Sequence, residues 1–229
     1  LMGIKKDKGA PIRRVKPIIP EVLLKIRQHL DFSSLSDVSI WSACLLGFLG
    51  LLRRSNLFPP SLTGYNPSKH LSIQYLSYQG SGIVIALPWT KTVQCRERVV
   101  FVPLAARPGH PMCPVAAVSL LLGFLQDVPP ASPLFWRRDE GGNITPILYS
   151  WFHRRFKELL ALCGEDASQY GTHSLRRGGA SWALQCGLTA DAIQILGDWK
   201  SDAYQTYLEL PMDLKAGYSS QLIHALPGP

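Results

Sequence analysis

The longest uninterrupted apolar run in the chain, Ala43–Leu52 (ACLLGFLGLL), covers ten residues and is followed at once by two arginines, Arg53 and Arg54. A bilayer-spanning helix needs about twice that length, so the run reads as a buried helix of a folded core and no membrane partner is expected. Val38, Trp41, Cys44, Leu45, Phe48, Leu49 and Leu52 recur at the i, i+3, i+4, i+7 spacing of an amphipathic helix, expected to end around Arg53–Arg54. Gly47 and Gly50 on it permit close packing. Such a helix must be surrounded, and 229 residues with 46% apolar content supply a core large enough to do so.

Around it the pattern changes period. Residues 1–19 carry Pro11, Pro17 and no apolar periodicity, which predicts an extended arm, and Pro20 opens a helix. Pro59-Pro60 closes the central helical region, and three β-rich runs follow: Leu71–Tyr78, Ile83–Leu87 and Arg98–Pro103. Gly80-Ser81-Gly82 supplies the first turn, and residues 88–95 form a hairpin loop carrying one lysine, Lys91. Helical stretches then run over Cys113–Leu125, along the stripe Ile147, Trp151, Phe152, Phe156, Leu159, Leu160 and Cys163, and over Thr172–Cys186, Thr189–Leu196, Ser201–Glu209 and Met212–Ala225. His153, Arg154, Arg155 and Lys157 lie largely off that stripe and read as a solvated face. Helices, a small antiparallel sheet and more helices make an α+β fold, not a doubly wound one.

The net charge is +8, but residues 1–30 hold eight Lys/Arg and two acids, leaving +2 for the other 199 residues. Charge therefore marks a basic N-terminal arm and an anionic partner, without marking a basic domain. The start of the chain lacks a secretory signal, and the five cysteines are odd in number and lack C-x2-C spacing. An intracellular protein with reduced thiols is expected, with neither a disulfide framework nor a zinc site. No G-x-G-x-x-G, P-loop, H-E-x-x-H or G-x-S-x-G motif occurs, so those chemistries have no local signature. The opening Leu1-Met2 suggests that an upstream part of a longer protein is missing.

Four elements could carry chemistry. Thr172-His173-Ser174-Leu175-Arg176-Arg177-Gly178-Gly179 places His173 and Arg176 three apart, on one helix face, where they could grip one anion. Taken alone, H-x-x-R is more often a capping or surface pair. Arg53 and Arg54 follow the apolar helix, where a C-terminal cap offsetting the helix dipole is the plain reading. Lys91 is by itself an exposed turn lysine. Leu196-Gly197-Asp198-Trp199, followed by Tyr204 and Tyr207, has aromatic spacing most often found in a core.

Their order along the chain, an arginine after a helix (Leu52-Arg53-Arg54-Ser55-Asn56-Leu57), a hairpin lysine, H-x-x-R, then Leu-Gly-x-Trp and a tyrosine, resembles the catalytic domain of tyrosine recombinases. The wording of THSLRRGGAS and GDWKSDAYQTYL looks most like the eukaryotic Crypton and DIRS/Ngaro mobile-element enzymes. The resemblance spans roughly residues 20–215 and implies a mostly helical catalytic domain with a small antiparallel sheet over 20–229. Residues 1–19 would then be a basic linker, and the N-terminal core-binding domain that closes the clamp on DNA would be absent. It also implies double-stranded DNA as substrate, no cofactor or metal, a homo-oligomer (a tetramer on synapsed DNA) and a nuclear location.

By the same resemblance Arg53, Lys91, His173, Arg176, Trp199 and Tyr207 take the catalytic roles, with Tyr204 a rival nucleophile three residues earlier. The sequence departs from the family pattern at Asp198, where many members have histidine directly after Leu-Gly. The residue types suit phosphodiester chemistry. Two bidentate guanidiniums can clamp charge that grows on phosphoryl oxygens, and they favour the phenolate of a tyrosine whose free pKa is about 10. Lys91 would protonate the leaving 5′-oxygen, His173 would accept the phenol proton or bond a phosphate oxygen, and Trp199 would donate its indole N–H. A non-cutting DNA-binding relative and a type IB topoisomerase are the competing readings.

Overall fold

A computed structural model describes residues 15–87, 89 and 99–199. The central element is helix α2, Leu35–Leu49, preceded by α1, Pro20–Gln28. Ser34 caps α2, its hydroxyl accepting the Asp37 N–H at 3.4 Å, and Asp37 places a negative charge in the first turn, at the positive end of the helix dipole. Nearly every residue from Val38 to Phe48 is buried, polar ones included. The helix is therefore not amphipathic, as its spacing suggested, but enclosed on all sides. The Ser42 hydroxyl resolves its burial by donating to the Ala117 carbonyl at 3.1 Å on helix α4, Pro114–Phe124.

α2 also ends earlier than its apolar run. Gly50 is its C-cap, and Leu51 turns the chain at φ 50°. Arg53 is consequently no C-terminal cap. It is the N-cap residue of a separate one-turn helix, α3, Arg54–Leu57. The apolar pattern continues past the end of the helix because Leu51 and Leu52 stay buried in irregular backbone.

Beyond Pro59-Pro60 the first part of the expected strand at Leu71–Tyr78 is a 3₁₀ turn, Ile73–Tyr75. The sheet proper consists of β1, Leu76–Gln79, β2, Gly82–Leu87, and β3, Val100–Leu104, antiparallel in that order. Gln79 pairs with Gly82 and Ile83 with Leu104. Gly80, at φ 56°, is the first central residue of the two-residue turn. β2 alternates buried and half-buried residues, which keeps Ile83, Ile85 and Leu87 in the core.

A second, two-stranded ladder, β4, Trp136–Arg138, with β5, Ile144–Pro146, was not anticipated, since three-residue strands are too short to show period-2 alternation. Asp139 builds its turn by accepting the backbone N–H groups of Gly141 and Asn143. Helix α5, Tyr149–Leu162, buries Phe152, Phe156, Leu159 and Leu160, the stripe read from sequence. Phe152 stacks on Phe58 at 4.4 Å and on Phe156 at 5.7 Å.

Helices α6, Thr172–Gln185, and α7, Ala190–Leu196, complete the described fold. α6 packs across α2 and the incoming irregular segment at residues 15–18. Lys16 donates its backbone N–H to Gln169 O at 2.7 Å and Ile18 to Ser174 O at 3.0 Å. A Cβ on Gly178 would lie 1.9 Å from Ile18 O, and one on Gly179 would lie 1.9 Å from Phe48 O. Glycine at both places is what lets one helix touch two backbones at once. Cys44 and Cys113 are buried thiols, Cys163 is half-buried and Cys186 exposed, with no disulfide among the described residues. Burial alone pushes the Cys44 thiol far above its ordinary value.

Candidate active site

The candidate residues come from three places in the fold: the turn after α2, the first half of α6, and the turn after α7. Arg176, on α6, is 4% exposed. Its guanidinium donates to the carbonyls of Leu51 and Gly197 and lies over the Trp199 ring, 3.8 Å from the ring centre. Arg53 donates from Nη2 to the Asp198 carbonyl at 2.9 Å, and its Nη1 stands 3.6 Å from the Asp198 carboxylate. Three successive residues of one turn, Gly197, Asp198 and Trp199, thus meet two arginines from distant parts of the chain. The sequence separation of the Arg53–Asp198 contact is 145 residues.

The turn is bent to make these contacts. Among the described residues only two non-glycine residues have positive φ, Leu51 at 50° and Asp198 at 51°, and each presents its carbonyl to one of the arginines. Such backbone costs of order 1–3 kcal/mol for a residue such as Leu. The surrounding core offsets it: Leu51, Ala180 and Ile193 form a separate apolar cluster under the turn, with Trp199 packed against it. Carbonyls are the informative partners here. They orient the Arg176 guanidinium and leave its charge in place, while Arg53 meets a carbonyl and the Asp198 carboxylate together.

The arginine turn is tied to Trp89 through Asn56. Asn56, 2% exposed, accepts the Arg53 backbone N–H through Oδ1 at 3.3 Å and donates from Nδ2 to the Trp89 carbonyl at 3.2 Å. A narrow crevice opens between these parts, lined by Arg53, Asn56, Leu87, Arg176, Gly197 and Asp198 among others. His173 sits on the first turn of α6, on the face of Arg176 but exposed. Arg54 points elsewhere, its guanidinium 4.6 Å from the Tyr149 ring centre.

Arg53, Arg176 and Trp199 are therefore brought together, and His173 lies one turn away from Arg176 on the same helix. Lys91, Tyr204 and Tyr207 fall outside the described residues. Three participants escaped the sequence reading. Asn56 could have been found, because an Asn three residues after an N-cap can accept its backbone N–H. Arg177 is 5% exposed and donates to Val15 O at 2.7 Å, a fixing role that no local pattern reveals. Leu51 carries no signal at all, since its side chain disfavours the conformation it adopts.

A tight polar group holds the base of α6. The Tyr170 hydroxyl donates to Glu165 at 2.6 Å, and Lys16 lies 3.4 Å from the same carboxylate. The Tyr170 hydrogen bond, with Lys16 adding to it, lowers the Glu165 pKa, and burial raises that of Tyr170.

No family model matches the chain. It is 27% identical over 199 residues to an integrase/recombinase xerD homologue of Selenomonas ruminantium, an alignment covering 86% of this chain and 53% of that protein. The chain thus spans about half the length of that curated relative. Its fold is similar to the crystal structure of XerA recombinase, with TM-score 0.65 and 17% identity over 97% of this chain and 68% of the other. It is also similar to XerH site-specific recombinase in a pre-cleavage complex with its difH substrate, with TM-score 0.59 and 13% identity over 93% and 56% of the two chains. The Tn1549 transposon integrase in complex with transposon right-end DNA gives TM-score 0.56 and 14% identity, covering 95% and 69%. The mixed helical architecture with its small antiparallel sheets is the fold of these recombinase and integrase structures.

Proposed function

We propose that the chain is the strand-transferring domain of a DNA recombinase. The observation that carries this reading is the meeting of Arg53 and Arg176 on Gly197–Trp199, the turn directly before the segment with Tyr204 and Tyr207. Two guanidiniums fixed by backbone carbonyls can bind both non-bridging oxygens of one phosphodiester and stabilise the charge that builds there.

In the proposed reaction Tyr207 loses its phenolic proton, to His173 or solvent, and its oxygen attacks the phosphorus. The bond to the 5′-oxygen breaks, Lys91 supplies the proton that oxygen needs, and the products are a 3′-phosphotyrosyl link and a free 5′-hydroxyl. A diester has been exchanged for a diester, so attack by a second 5′-hydroxyl reverses the step with no energy source. Trp199 packs against Arg176 and offers its indole N–H to the phosphate. Similarity to enzymes captured on a recombination site and on transposon-end DNA supports double-stranded DNA as the substrate class. The motif wording supports a mobile-element enzyme of the Crypton or DIRS/Ngaro kind, working in the nucleus as a tetramer on paired sites.

The test is incubation with a nicked suicide duplex, from which the cleaved end diffuses away. A protein–DNA adduct stable in denaturing gels is expected from the native chain and none from Tyr207→Phe. An adduct that survives Tyr207→Phe assigns the nucleophile to another residue. Adduct formation absent on every duplex tried would overturn the strand-transfer reading.

A further inference from the structure

Asp198 stands inside the arginine site, at the place where the sequence leaves the family pattern, and its two contacts with Arg53 differ in kind. The carbonyl contact, at 2.9 Å to Nη2, is a direct hydrogen bond from a backbone fixed by the turn. The carboxylate contact, at 3.6 Å to Nη1, is an ion pair looser than a direct charge-assisted hydrogen bond, which is about 2.7–2.9 Å long. Both side chains are largely withdrawn from water, 14% and 7% exposed, so the attraction is less screened than on the surface. The backbone at φ 51° costs little at an aspartate compared with most residues.

From this we infer that Asp198 is a positioning residue acting as a resident anion: its carboxylate holds Arg53 until a phosphodiester oxygen takes its place at Nη1, while its carbonyl keeps Nη2 aimed throughout. The inference rests on the reading of Arg53 as a phosphate clamp. It identifies a cost that the site carries. A negative charge beside Arg53 keeps the guanidinium ordered at the crevice, and the same charge opposes every incoming phosphate. Replacing the carboxylate by a neutral group of the same shape therefore strengthens phosphate binding, the opposite of what loss of a structural contact would do.

The test compares the native chain with Asp198→Asn, which keeps shape and tolerates positive φ, and with Asp198→Gly, which keeps the carbonyl and relieves the backbone. The probes are inorganic phosphate and a random-sequence 30-base-pair duplex, with affinity measured by titration calorimetry and folding checked by thermal denaturation. Removing one charge about 6 Å from a bound anion, at a dielectric between protein and water, should tighten phosphate binding about tenfold in both variants. Unchanged or weaker binding in both, or no binding by any of the three proteins, would overturn the inference. Tighter binding with no Tyr207 adduct in any of them would leave the role of Asp198 standing and remove the strand-transfer reading instead.

Discussion

Arg176 is 4% exposed, while the side chain of Arg154 on α5 is 71% exposed, and their partners differ accordingly. Arg176 reaches two carbonyls and the face of Trp199. Arg154 reaches Glu158 one turn along its own helix, at 3.8 Å. A buried guanidinium must have its donors placed, because an unmet charged group in the interior costs several kcal/mol. Here backbone carbonyls meet them, at Leu51 and Gly197. An exposed guanidinium is met by water, and no backbone is shaped for it. The difference separates two uses of the same side chain: one cation built into the fold with its charge retained, the other a solvated face.

The largest effect is expected at Arg176. Lysine in its place keeps a charge but has no planar fork to span the Leu51 and Gly197 carbonyls. Arg176→Lys should lower the rate of adduct formation on a nicked duplex by about 10²- to 10³-fold and stability by about 1–3 kcal/mol, as buried carbonyls lose their donor. Arg154→Lys should leave both unchanged. Equal losses in the two variants, measured by single-turnover kinetics and urea denaturation, would erase the distinction between the regions.

Next in size is Gly178→Ala. Helix propensity favours alanine over glycine by about 1 kcal/mol, so on an exposed helix the change would stabilise. On this face of α6 the new Cβ would sit 1.9 Å from the Ile18 carbonyl oxygen, and the segment at residues 15–18 must move away. That movement also takes Val15 O from Arg177. The clash outweighs the propensity, and a net loss of about 2 kcal/mol is expected in urea denaturation. A gain in stability would mean that the 15–18 segment is not held against α6.

These two positions show why the fold was more legible than the site. α5 was readable because its apolar stripe is a local signal. Three-residue β4 and β5 fell below the length at which alternation can be seen. Arg53 was legible as a candidate only through the order of motifs. Its own neighbourhood pointed to a helix cap, because the turn that frees it depends on Leu51 adopting a conformation its residue type disfavours. Asp198 was visible only as a departure from a pattern. Its contact with Arg53 joins residues 145 apart, which no local periodicity encodes.

A smaller effect, intermediate between the two regions, is expected at Glu165, which ties Lys16 to Tyr170 at the base of α6. Its pKa is lowered, mainly by the Tyr170 hydrogen bond, so its contribution to stability is present above the ordinary glutamate value of 4.5 and is lost as pH falls through the depressed value. Glu165→Gln should therefore cost less than about 1 kcal/mol at pH 7. The native and variant denaturation curves should converge as acidification carries the pH through that depressed value. A difference that persists, unchanged, in acid would assign the effect to packing of Tyr170 and not to the charge.

The smallest effect is expected on the exposed face, at Arg154→Ala. Two arginines share Glu158: Arg154 at 3.8 Å and Arg155 at 3.4 Å, and Arg155 is held in addition by Asp37 at 3.8 Å. Removing Arg154 leaves the carboxylate its nearer partner, and the i,i+4 pair it loses is an exposed one worth about 0.3–0.5 kcal/mol at low salt. Alanine recovers part of that through helix propensity. The net change should fall within about 0.5 kcal/mol and disappear in high salt, where the Debye length shrinks to about 3 Å at 1 M. A salt-independent loss above that size, read from denaturation midpoints, would place Arg154 among the cations built into the fold and break the contrast with Arg176.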